Sequence, residues 1–182
     1  NNGYNRYPDP HQKHLKERLS EIKGVPSRNI FIGNGSDEAI DLVFRVFCEP
    51  RKDNVVAITP SYGMYKVAAA MNDVELREVP LRENFELPTD ELLAATDEHT
   101  KAIFLCSPNN PTGNSFPREE MLRLVDKFEG LVVVDEAYID FAEAESLKSE
   151  IFERKNLIIL QTLSHRPEPV GMLIYISYHF LI

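Results

Sequence analysis

The stretch "LVVVDEAYIDF", Leu131 to Phe141, runs four apolar residues directly into Asp135 and Glu136. A strand that is apolar at odd and even positions alike has no face to offer water, so helices must cover both sides of its sheet. "KAIFLC" (101–106), "NVVAIT" (54–59) and "LIILQT" (157–162) share this two-sided character, and "NIFIG" (29–33) and "VELREVP" (74–80) complete six strand-like runs. Amphipathic helical patterns over 10–23, 36–48, 62–72, 89–96, 117–128 and 144–154 separate them. Strand and helix alternate, which predicts an α/β fold: a three-layer α/β/α domain around a mainly parallel central sheet.

Within "HQKHLKERLSEI", Leu15, Leu19 and Ile22 recur at helical spacing and form one candidate buried stripe, while Lys16, Glu17 and Arg18 face water. "PLRENFELP" reads as a loop bracketed by prolines. The 182 residues suit one domain, and their 43% hydrophobic content suffices for an ordinary core.

Charge narrows the function. Twenty basic against 29 acidic residues leave net −9, a balance that repels nucleic acid and anionic lipid in the absence of a basic patch. Cys48 and Cys106 stand far apart, with no zinc-type spacing, so neither a disulfide framework nor a metal is expected. A reducing, cytoplasmic setting fits that usage. No apolar run reaches the ~20 residues of a membrane span, and the first residues lack a signal pattern, so a soluble, untargeted protein is expected.

In open parallel sheets, ligands bind beyond the carboxyl ends of the strands, and four such ends here are polar. "FIGNGSDEAIDL" passes from a strand through Asn34 and Gly35 into a helix. Ser36 can cap that helix; alternatively, the glycine admits a phosphate to the free N–H groups of Ser36 and Asp37. "AITPSYGMY" leaves Tyr62 at the sheet edge, where its ring can pack or stack on an aromatic ligand. "FLCSPNNPTGN" is rich in turn residues, and a rigid turn there would hold the Asn110 amide at the sheet edge. Asp135 emerges from a dehydrated strand and needs a compensating partner, either the following turn or a ligand cation; Tyr138 lies three residues on. Together these ends describe a site for a flat, phosphorylated, nitrogen-bearing ring, and pyridoxal phosphate has those features.

At this point the sequence resembles a pyridoxal-phosphate-dependent aminotransferase of the aspartate-aminotransferase-like superfamily. The forms "NRYPD", "GNGSDEAIDL", "PSYGMYKVAA", "SPNNPTG" and "DEAYIDF" are most similar to histidinol-phosphate aminotransferases. The resemblance covers Asn1 to about Ser164 and corresponds to the cofactor-binding large domain of that family. It implies that 1–164 form this domain, incomplete at both ends and without the small C-terminal domain, and that 165–182 are an atypical apolar tail. It further implies that Asp135 pairs with the ring nitrogen and that Asn110 and Tyr138 bond the ring hydroxyl oxygen. Tyr62 would stack on the ring, while Gly35, Ser36, Asp37 and Ser164 hold the phosphate. Tyr7 matches the tyrosine that reaches the phosphate of a neighbouring subunit, which implies a homodimer.

One position departs from the resemblance. The family's Thr-Leu-Ser-Lys segment carries the lysine that bonds covalently to the cofactor aldehyde. Here the residues are Thr162, Leu163, Ser164 and His165. Imidazole cannot replace a primary amine in that bond, although His165 can act as a general acid or base. Lys148 and Lys155 precede the strand and belong at its far end. Leu173 stands where the family has a phosphate-binding arginine, and "VGMLIYISYHFLI" reads as an aggregation-prone or partner-covered strand. The expectation is an aminotransferase polypeptide of histidine biosynthesis, acting on histidinol phosphate and 2-oxoglutarate, truncated or frameshifted and inactive as it stands, with any cofactor held non-covalently. The alternatives are a non-catalytic cofactor-binding or assembly domain, and an aromatic or phosphothreonine-type member of the superfamily.

Overall fold

Alternating side chains of the central strands feed two separate apolar clusters. Val56, Ile58, Ile103, Leu105, Val132, Val134, Leu157 and Ile159 enter one; Val55, Ala57, Ala102, Phe104, Leu131, Val133, Ile158 and Leu160 enter the other. The chain is seen here as a computed structural model describing residues 9–162 and 172–176. Its strands are β1 (Ile30–Gly33), β2 (Asn54–Thr59), β3 (Glu75–Pro80), β4 (Thr100–Cys106), β5 (Leu131–Asp135), β6 (Leu157–Thr162) and β7 (Met172–Ile176). They form one seven-stranded sheet in the order β1-β7-β6-β5-β4-β2-β3. The pairs among β2 to β6 are parallel, and β7 runs antiparallel to both β1 and β6. The sheet is therefore mainly parallel, with helices on both faces, as the apolar runs require.

The helices are α1 (Lys13–Lys23), α2 (Gly35–Phe47), α3 (Met64–Met71), α4 (Thr89–Ala94) and α5 (Arg118–Lys127). Residues of α2 and α3, including Ile40, Phe44, Tyr65 and Ala68, complete one cluster. Leu19 of α1, Leu92 of α4 and Met121, Leu124 and Val125 of α5 complete the other. The stripe expected on α1 is only partly realised: Leu19 is buried, but Leu15 is 39% and Ile22 59% exposed. The helix contacts β1, which is the edge strand among the described residues, so no further described strand covers its ends. The helix expected over 144–154 is instead a 3₁₀ segment, Leu147–Phe152, whose first turn is capped by the Ser146 hydroxyl accepting from Lys148 N–H.

The apolar stretch read as an aggregation-prone or partner-covered strand contains β7, whose two edges are hydrogen-bonded to β1 and β6 of the same chain. That pairing satisfies both edges of its backbone.

Candidate functional site

The site follows from how the chain winds. After β2 it runs outward to β3 and then returns inward to β4, so the loops leaving β2 and β4 diverge at the carboxyl edge of the sheet. A cavity of about 170 Å³ lies there, lined by Ser36, Tyr62, Cys106, Asn110, Asp135, Ala137 and Tyr138. Five of the sequence-derived candidates thus share one wall-to-wall space: Ser36, Tyr62, Asn110, Asp135 and Tyr138. Asn110 and Tyr138 also line an adjoining, wider cleft of about 650 Å³. Tyr7, Ser164 and His165 lie outside the described residues.

Asp135 ends β5, in register with Cys106 of β4 and Leu160 of β6. It is 2% exposed. One carboxylate oxygen accepts from Ala137 N–H at 3.0 Å, the other from the Tyr65 hydroxyl at 3.1 Å. The carboxylate therefore organises its following turn and faces the cavity as well; the two readings coexist. Burial, reinforced by the nearby Glu136 and Asp37 charges, outweighs those donors and pushes its pKa up to about 6. At neutral pH it is a buried anion facing a small cavity, a setting that a cationic ring nitrogen would relieve.

Tyr62 leaves the loop after β2 and donates to Asp37 Oδ1 at 3.0 Å. Its ring meets that of Tyr65 edge-on, with centroids 5.9 Å apart and planes at 87°. Behind it, Tyr65 stacks on Phe104 and Phe104 on Phe44 at centroid distances of 5.0 and 5.4 Å. An aromatic column thus supports the cavity wall from β4 and α2.

The loop after β4 contains cis bonds at Ser107–Pro108 and Asn110–Pro111, and the loop after β2 has one at Thr59–Pro60. The buried residue that ties the two loops together is Asn109: it accepts from the Ser61 hydroxyl at 2.9 Å and donates to the Pro60 carbonyl at 3.0 Å and to Thr112 Oγ1 at 2.7 Å. Its neighbour Asn110 is thereby left to line the cavity. The two asparagines divide the work, one holding the turn and the other facing the cavity.

Gly35 adopts φ +78°, a conformation open to glycine, and starts α2. Asn34 occupies the cap position, so Ser36 lies inside the first turn rather than capping it. Glu38 instead folds back, its carboxylate accepting from Asn34 N–H. The N–H groups of Ser36 and Asp37 belong to the first turn, which has no intrahelical acceptors to offer them. A first helical turn with free N–H groups and a buried carboxylate thus line the same cavity.

Sequence reading missed Tyr65, Cys106 and the side-chain role of Asp37. Cys106 lines the cavity as a thiol, since burial pushes its pKa up to about 12, with the Asp135 charge adding to the effect.

Comparison with known proteins places the chain in a family. The family described as aminotransferase class I and II matches residues 1–166. The histidinol-phosphate aminotransferase of Bacteroides fragilis is 62% identical over 161 residues, covering 88% of this chain and 47% of that protein. The crystal structure of histidinol-phosphate aminotransferase from Sinorhizobium meliloti in complex with pyridoxal-5'-phosphate superposes with a TM-score of 0.83 at 25% identity, over 94% of this chain and 49% of that one. L-threonine-O-3-phosphate decarboxylase from Porphyromonas gingivalis gives a TM-score of 0.80 at 26% identity, over 97% and 53%. The chain spans about half the length of the relatives it matches.

Proposed function

Because this chain belongs to the class I and II aminotransferases, we propose that its cavity holds pyridoxal phosphate and that the protein it represents transfers an amino group to or from histidinol phosphate, with 2-oxoglutarate or glutamate as the other partner. The single observation that carries the reading is Asp135: a buried carboxylate lining a small cavity that it shares with the aromatic Tyr62 and with Ser36 of the first turn of α2. When bound, that cofactor supplies an electron-withdrawing ring beside the amino-bearing carbon of the substrate. Asp135 keeps a proton on the ring nitrogen. Tyr62 stacks on the ring face, and Asn110 and Tyr138 hydrogen-bond the ring hydroxyl oxygen. The N–H groups of Gly35, Ser36 and Asp37 donate to phosphate oxygens, joined by the Ser164 hydroxyl. Tyr7 completes the phosphate site of a second copy, which makes the working unit a homodimer.

The 62% identity to a histidinol-phosphate aminotransferase favours that substrate over the phosphothreonine type suggested by the likeness to the decarboxylase at 26%. His165 favours a second reading of this particular chain, as a binding domain without catalysis. A histidine in the Thr-Leu-Ser-His segment lacks the primary amine needed for a covalent hold on the cofactor. The test is titration of the chain with pyridoxal phosphate, Asp135→Ala serving as control, followed by borohydride reduction and peptide mass analysis. Saturable binding lost in the variant, with no reduced adduct between residues 155 and 170, is expected. Failure of the unsubstituted chain to bind removes the cofactor reading, and an adduct in that segment removes the non-covalent one.

A further inference from the structure

Tyr65 lies three residues beyond Tyr62, on the inner side of α3. It is 2% exposed and clamped between Phe104, on which it stacks, and the edge of Tyr62. Its hydroxyl is directed at Asp135 Oδ2, 3.1 Å away. A core tyrosine needs a partner for its hydroxyl; here the partner is the acid on which the proposed cofactor site depends. We infer that Tyr65 is a positioning residue for that acid, its buried phenol holding the Asp135 carboxylate in one orientation and in its anionic form for a cationic ring. The inference rests on the cofactor reading given above.

The surroundings explain why such a donor is needed. The titratable groups around Asp135 are Asp37 from α2, Tyr62 from the loop after β2, Tyr65 from α3, Cys106 from β4, and Glu136 and Tyr138 after it in the chain. None of these is a cation, and Asp37 and Glu136 act against ionisation. Among the described residues, the Asp135 carboxylate is met by two donors, the Ala137 N–H and the Tyr65 hydroxyl. The backbone donor belongs to the turn itself; the phenol comes from another layer of the fold. Burial and the adjacent carboxylate hold the Tyr65 phenol well above its usual range, so it remains a donor wherever Asp135 is ionised. A hydrogen bond to a charged group stabilises that charge, and its loss raises the carboxyl midpoint.

The test is the titration of Asp135, followed by carboxyl-carbon NMR in the 182-residue chain without cofactor, in the unsubstituted protein and in Tyr65→Phe. The midpoint is expected to rise by about one pH unit in the variant. Incorporation of 3,5-difluorotyrosine at 65, of similar shape but with a more acidic hydroxyl, is expected to lower it. With pyridoxal phosphate, the affinity ratio of unsubstituted chain to Tyr65→Phe should widen roughly threefold from pH 8.5 to pH 6.5. A merely structural role would leave the midpoint in place. An unmoved midpoint in both Tyr65 variants, with intact folding by circular dichroism, overturns the inference even where the cofactor binds. Failure of the unsubstituted chain to bind the cofactor overturns the reading beneath it.

Discussion

The hydroxyl of Tyr62 donates to Asp37 Oδ1 across 3.0 Å, tying the ring beside the cavity to the first turn of α2. Burial and then that bond push the Tyr62 phenol up to about 12, so the tie persists through neutral and mildly alkaline pH. The proposed ring-stacking and phosphate-binding elements are therefore mechanically joined. Each should report on the other.

Tyr62→Phe keeps the ring and cuts the tie. One hydrogen bond of about 1 kcal/mol corresponds to a severalfold weaker dissociation constant for pyridoxal phosphate. Tyr62→Ala removes the ring as well and should weaken binding further, by about another 1 kcal/mol beyond the lost area. Fluorescence titration of the three proteins checks the order; equal affinities would exclude stacking by Tyr62.

Asp135 sets stability against binding. Its carboxyl titrates near 3.8 when exposed and at about 6 in the folded chain. The stabilising contribution of its protonated form is fully present below the first value and is lost as pH rises through the second. Asp135→Asn removes that loss, so the variant's stability advantage should grow by about 1 kcal/mol between pH 5 and pH 7.5, while cofactor affinity falls. Urea unfolding at the two pH values measures it. A gain independent of pH would mean that the carboxylate is not held in its buried, charged state.

Gly35 has φ +78° and, among the described residues beyond its chain neighbours and its own helical backbone, no atom within 4 Å of where a β-carbon would stand. Gly35→Ala therefore meets backbone strain without a clash, and should cost on the order of 1 kcal/mol in unfolding free energy. If the α2 N-terminus receives the phosphate, affinity for pyridoxal phosphate should drop while that for pyridoxal stays put. An equal loss for both ligands would place the phosphate elsewhere.

Glu136, next to Asp135, is buried and takes hydrogen bonds from Ser146 Oγ at 2.5 Å, Leu147 N–H at 2.7 Å and Gln161 Nε2 at 2.8 Å. Glu136→Ala strands these donors and should cost about 3 kcal/mol or more. Glu136→Gln retains an acceptor oxygen and should cost less. Thermal unfolding of the pair checks the difference, and equal losses would mean that the full carboxylate, which the nearly isosteric amide lacks, carries the whole effect.

The strands were legible because two-sided burial leaves continuous apolar runs, as in β4 and β5. The four polar strand ends were legible because turn and cap residues follow such runs directly, and the structure gathers Ser36, Tyr62, Asn110, Asp135 and Tyr138 around one cavity. Tyr65 was not legible: within "MYKVAAAM" it reads as one more core aromatic, and its partner lies 70 residues away. Asn109 and Asn110 are adjacent and chemically identical, so only the packed turn assigns one to the loops and the other to the cavity. The α1 stripe misled because helical spacing identifies a face but not how much neighbouring sheet exists to cover it.

Among the described residues, β1 has β7 as its only hydrogen-bonded neighbour in the sheet, a strand some 140 residues later in the chain. During synthesis, the segment leading into the Gly35 turn thus emerges long before the strand that will fasten it. Residues 172–176 must therefore have left the ribosome before β1 can gain this ladder, which places the fastening of the entry to α2 late in the life of the nascent polypeptide.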